Sequence, residues 1–197
     1  MPELVLQALP GAVQADGDGH ARDTQQTRDV AIGLAFEVAE GEDLGRPRRQ
    51  RGQGPAQPVA DLPGLVIRRP WENGLAIDAA AFDGREVAHK AVLVHTGWDR
   101  HWRTEAYFGE HPYLTAEAAD WLVDRGAAIV GIDSVNIDNM HVRARPVHTR
   151  LLGAGIPICE HMSGLGGLPD EGFRFSAVPP KVKGMGTFPV RAYAVLG

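Results

Sequence analysis

Apolar and polar positions follow two different regimes along this chain of 197 residues. From Asp61 onward, short apolar runs recur between Gly, Pro and charged residues, as in a packed domain. Leu65-Val66-Ile67 predicts a short strand, and Ala91 to His95 a second that stops at Thr96-Gly97. Thr115 suits the N-cap of a helix over 116–125, where Ala118/Leu122 and Ala119/Val123 repeat at i, i+4 and Gly126 closes the end. Ala127 to Ile132 reads as a strand ending at Asp133. A strand, a helix and a further strand predict a βαβ unit with partly parallel pairing. The final third is strand-rich, with runs at Ile156–Cys159, Phe173–Val178 and Phe188–Leu196. In the last run Phe188, Val190, Ala192 and Ala194 alternate with Pro189, Arg191 and Tyr193, which predicts a sheet with two unlike faces.

Residues 11–60 lack this pattern. Of the thirteen aromatic residues only Phe36 precedes Ala60, and Gly, Gln, Arg and Asp dominate. Only 30–38 could form a helix or strand, and 45–58 reads as disordered or loop-like. The expected division is an irregular, poorly packed region over 1–60 and a folded α+β domain over 61–197.

Composition narrows the function classes. Hydrophobic residues make up 44% and charged residues 23%, ordinary for a globular chain of one domain. A net charge of −5 gives no overall basic field, so no nucleic-acid partner is expected. Arg46, Arg48, Arg49 and Arg51 lie among Gly, Pro and Gln and read as a solvated loop. Cys159 is the only cysteine, which excludes a disulfide framework and makes a reducing cytoplasm the expected setting. No apolar run approaches the ~20 residues of a membrane span, and MPELVLQALPG lacks the basic start of a signal peptide.

The candidate chemistry centres on PVHTRLLGAGIPICE, residues 146–160. Pro146 suits the first turn of a short helix carrying His148, with Leu151 and Leu152 toward the core. Gly155 ends the turn, an apolar strand follows, and Glu160 emerges where that strand leaves the sheet. This layout can bring an imidazole and a carboxylate to one point, as a metal with nitrogen and oxygen ligands requires. A capping histidine and a surface glutamate would fit the same pattern. Cys159 and Glu160 are strand neighbours facing opposite ways, so Cys159 reads as an inert buried thiol. His95, Trp98, Asp99, His101 and Trp102 cluster after the second strand, as a substrate-lining loop or a structural corner. The glycine runs at 164–167 and 184–186 lack phosphate-loop or dinucleotide spacing and read as turns.

TGWDRHW (96–102), LTAEAADWLVDRGAAIVGIDSVNID (114–138), PVHTRLLGAGIPICEHMSGLGGLP (146–169) and VKGMGTFPVRAYAVL (182–196) together resemble the cyclase family of metal-dependent hydrolases, which includes kynurenine formamidases and isatin hydrolases. The resemblance implies an α+β fold: one compact domain of mixed strands, layered or barrel-like, with flanking helices. It also implies a homo-oligomer acting on a small-molecule amide or formamide, as in tryptophan catabolism. It implies a divalent metal, zinc or manganese, with His148 and Glu160 as ligands, and Trp98 and Trp102 lining the substrate. The family's H-x-G-T-H-x-D-x-P-x-H motif, source of the remaining ligands and a catalytic histidine, is absent upstream of Leu65; only His20 stands there. Either the chain is a diverged member whose metal site is lost or remodelled, or residues 1–60 are not the family's N-terminus, through a frameshift or a misassigned start. No catalytic residue is assigned, and two ligands rarely hold a catalytic ion, so low activity is expected. The alternative is a non-catalytic homologue that binds a small molecule or forms oligomers.

Overall fold

The computed structural model describes residues 59–180 and 186–197, together with the backbone of strands at 27–28 and 32–37. The strands are β1 (Thr27–Arg28), β2 (Ile32–Glu37), β3 (Leu62–Arg68), β4 (Ala76–Ile77), β5 (Ala91–His95), β6 (Tyr113–Leu114), β7 (Ile129–Ile132), β8 (Ile158–Glu160), β9 (Phe173–Ser176), β10 (Thr187–Arg191) and β11 (Tyr193–Leu196). The helices are α1 (Ala116–Asp124) and α2 (Pro146–Gly153), with short 3-10 turns between. The α+β expectation holds. The irregular packing expected of residues 1–60 falls, apart from β1, β2 and residues 59–60, outside the described residues; Val59 is buried in the core, and β2 lies inside the one segment, 30–38, read as able to form an element.

Nine strands join in the order β1-β11-β9-β3-β5-β7-β8-β2-β10, and β4 and β6 form a separate pair. The centre, β3-β5-β7-β8, is parallel, and its neighbours are antiparallel. α1 connects β5 to β7 and α2 connects β7 to β8, the crossovers that parallel pairing requires. The run expected as one strand over 188–196 is two. β10 and β11 are separated by Ala192 alone, yet β10 ends one side of the strand order and β11 lies next to the other end. The chain therefore ties the two ends of the sheet together, a barrel-like closure that protects its edges.

Alternation along the central strands sorts their side chains between two cores. Leu65 and Ile67, Val92 and Val94, Val130 and Ile132, and Ile158 pack on the helix side with Val147 and Leu151 of α2. Val66, Ala91, Leu93, Ile129 and Cys159 pack on the opposite side with Phe173, Phe175, Phe188 and Val190. Thr115 caps α1 as the sequence indicates, its Oγ1 accepting from Ala118 N at 3.3 Å. Gly126 (φ 72°) and Gly155 (φ 77°) take the left-handed conformation after the two helices. Gly131 is required for another reason: a Cβ there would come within 2.5 Å of Met162 Sδ.

Candidate active site

The C-terminal ends of four neighbouring parallel strands are Arg68, His95, the residue before Asp133, and Glu160. Such an edge gathers side chains from several strands on one rigid scaffold, which is where open α/β sheets bind ligands.

On the helix side, Glu160 follows Ile158 by two residues and so faces α2. His148 stands in the first turn of α2, and both side chains are buried. His148 Nε2 and Glu160 Oε1 are 3.5 Å apart. The structure thus brings the two sequence candidates to one point. A third residue, Asp138, supports them. Its Oδ1 accepts from Val147 N at 2.8 Å, and its Oδ2 from His148 N at 3.0 Å and from His148 Nδ1 at 2.7 Å. Burial raises the Asp138 pKa, but the His148 ring and these amides outweigh it and the net shift is downward. With an ionised carboxylate accepting at Nδ1, the imidazole carries its proton there and turns the Nε2 lone pair inward. Glu160 Oε1 is also held by Ile137 N at 2.6 Å.

The donor chemistry fits a divalent cation: one imidazole nitrogen, one carboxylate oxygen, and a second carboxylate orienting the ring from behind. The guanidinium of Arg145 is also present, with Nη2 2.6 Å from His148 Nε2.

The opposite face carries a second group. His95, Asp99 and Asp133 bring ligand atoms within 4.8 Å of one another, a spacing that could hold a metal ion. Asp133 is fully buried and closely surrounded by donors: Thr96 N at 2.9 Å to each oxygen, Thr96 Oγ1 to Oδ1, and Gly97 N to Oδ2 at 2.7 Å. Burial dominates and raises its pKa to about 6, against the opposing pull of those hydrogen bonds. His95 accepts from Arg68 Nη1 at 3.2 Å through Nδ1, since a guanidinium only donates. Burial and Arg68 together hold the His95 pKa below its usual value.

Trp98 is buried and its Nε1 donates to Tyr107 O at 3.1 Å. Trp102 is half-buried, edge-on to Tyr107 with ring centroids 5.0 Å apart. Tyr107 is buried, and its hydroxyl lies 3.1 Å from His161 Nδ1. Burial raises the Tyr107 pKa, helped by the charges of Asp133, Glu160 and Asp99, so the phenol keeps its proton. Burial lowers the His161 pKa, helped by His111. Trp71 Nε1 and His101 Nε2 are buried in this aromatic cluster without a hydrogen-bond partner among the described residues. Nearby, His111, Tyr113, Met140 and His141 line a cavity of about 160 Å³.

Cys159 is fully buried with its pKa pushed up by burial to about 12, consistent with an inert thiol. Sequence reasoning missed Asp138, Tyr107 and Arg145. Asp138 carried a signal, an Asp shortly before a Pro-initiated helix, where a carboxylate can accept first-turn amides. Tyr107 and Arg145 lie in segments without apolar periodicity.

Comparison with known proteins bears on the fold. Residues 69–139 match the family described as putative cyclase, a stretch that ends just before His148 and Glu160. No curated protein matches the chain. An isatin hydrolase bound to the product analogue thioisatinate is similar at 21% identity and TM-score 0.65, over 70% of this chain and 61% of that one. Isatin hydrolase A from Labrenzia aggregata, bound to benzyl benzoate, gives 25% and 0.64, over 72% and 63%. A predicted metal-dependent hydrolase from Bacillus stearothermophilus gives 22% and 0.63, over 83% and 76%. This chain therefore spans less than two thirds of the length of the first two proteins.

Proposed function

We propose that this chain, which has the fold of the cyclase-family, isatin-hydrolase-like metal-dependent hydrolases, hydrolyses a small aryl formamide or amide. The observation that carries this reading is the buried pair His148 Nε2 and Glu160 Oε1, 3.5 Å apart at the sheet edge, with Asp138 fixing the imidazole. His148 and Glu160 would hold the ion, of zinc or manganese type, which supplies Lewis acidity to water and to a carbonyl.

The chain's own residues do the remaining work. Asp138 keeps the His148 proton on Nδ1 and so keeps Nε2 available as a ligand atom. His161, neutral near pH 7 because its pKa is lowered, can take up a proton at a ring nitrogen while Tyr107 orients the ring. Trp98 and Trp102 form an apolar wall suited to an aromatic ring, and the indole N–H of Trp71 suits a carbonyl oxygen. A formamide of the kind met in tryptophan catabolism, such as N-formylkynurenine, combines these features. The same reading gives a cytoplasmic homo-oligomer; exposed Phe108 and Met140 support self-association, and no helix among the described residues is long and apolar enough to cross a membrane. Two ligands fall short of the three usual for a catalytic ion, so turnover is expected to be slow.

The test is hydrolysis of N-formylkynurenine and of isatin by purified protein supplemented with zinc or manganese, beside His148→Ala. Turnover that His148→Ala abolishes supports the reading. Turnover unchanged by that substitution, or none on either substrate, refutes it.

A further inference from the structure

Arg145 combines three features that a helix start does not favour. It is the residue before α2, its backbone is left-handed at φ 42° and ψ 61°, and its cation lies at the positive end of the helix dipole. Backbone outliers of this kind persist where surrounding contacts hold them, and they cluster at functional sites. The contact here is specific. The residue is exposed overall, yet Arg145 Nη2 reaches the buried His148 Nε2 at 2.6 Å. A guanidinium has donors and no acceptor, so Nε2 must meet it with its lone pair. That lone pair is the one Asp138 turns inward, and the one a metal would need at about 2.0–2.1 Å. One lone pair cannot serve both, and two cations at that separation repel.

We propose that Arg145 is an intramolecular competitor for the divalent cation. Its guanidinium stands in for the ion at His148 and offsets the charge of Asp138 and Glu160 when metal is scarce, and it must withdraw before metal binds. The residue is exposed and its side-chain stem is long and rotatable. The arrangement sets a threshold on the metal concentration at which the site fills. It rests on the assignment of His148 as a ligand.

The experiment is calorimetric titration of Zn²⁺ and Mn²⁺ into wild type, Arg145→Ala, Arg145→Gly, His148→Ala and the double variant Arg145→Ala/His148→Ala. Arg145→Gly removes the side chain while suiting the left-handed backbone, which separates loss of the cation from backbone strain. Both Arg145 variants are expected to bind metal about tenfold or more tightly than wild type, because the competing donor and a like charge are gone. The double variant is expected to lose that gain. Equal affinity of wild type and both Arg145 variants, with His148→Ala still weakening binding, overturns the proposal and leaves the site assignment standing. Metal affinity that His148→Ala leaves unchanged in both backgrounds overturns the site assignment, and the proposal with it.

Discussion

The two polar clusters at the sheet edge share a scaffold but differ in how their lone pairs are committed. On one face, Asp133 is enclosed by amides and a hydroxyl from Thr96 and Gly97, and His95 gives Nδ1 to Arg68. That cluster joins the end of β5 to the end of β7. On the other face, Asp138 orients His148 so that Nε2 points toward Glu160, where a long, exposed arginine competes for it. The two aspartates shift in opposite directions. Burial dominates at Asp133 and raises its pKa to about 6, whereas at Asp138 burial is outweighed by the imidazole and two amides. A carboxylate at a strand end is therefore not a site by position alone; what matters is which donors meet it.

The sharpest way to break this comparison is to remove the orienting carboxylate. Asp138→Asn is expected to weaken metal binding by about 10–100-fold, and His148→Ala by more, while Asp99→Asn has little effect. Metal titration of the three variants would show it, and a larger loss from Asp99→Asn would reverse the roles of the two clusters. The next effect concerns the apolar face opposite the helices. Gly131→Ala would press a methyl against Met162 Sδ and Leu93 Cδ2, at 2.5 and 3.0 Å, and should destabilise the fold by about 1–3 kcal/mol in denaturant unfolding.

Smaller and opposite in sign are the pH effects. Asp138 is held below the usual carboxylate range, so it contributes stability above about pH 4 that is lost as acid protonates it. Asp133, raised to about 6, keeps its proton when folded but loses it when unfolded between about pH 4 and 6, so stability from this group falls as pH rises through that window. Denaturation midpoints across pH 3–7 should show the acid loss flattened in Asp138→Asn and the higher-pH decline flattened in Asp133→Asn. Unchanged profiles in both would remove the contrast. The smallest effect is an absence: Cys159, with a pKa near 12, should resist alkylation in the native protein at neutral pH.

Much of this was legible where local pattern and tertiary role coincide. The cap of α1, the strand at Ala91–His95 and the alternation from Phe188 to Ala194 follow from residue chemistry over a few positions. The convergence of His148 and Glu160 was legible because a helix, a glycine turn and a strand fix their relative direction. The break at Ala192 was not, since sending β10 and β11 to opposite ends of the strand order depends on partners far away in sequence. The two-residue pair β4–β6 is too short to leave a periodic trace. Arg145 could not be read either, because its role depends on a backbone conformation and on where Asp138 holds the imidazole.

The central claim is that the helix-side pair, and not the opposite cluster, takes the metal. Anomalous scattering from crystals grown with manganese or zinc locates the ion directly. A peak between His148 Nε2 and Glu160 Oε1, with the Arg145 guanidinium moved away, is the predicted result. A peak among His95, Asp99 and Asp133, or no peak at saturating metal, would contradict the account.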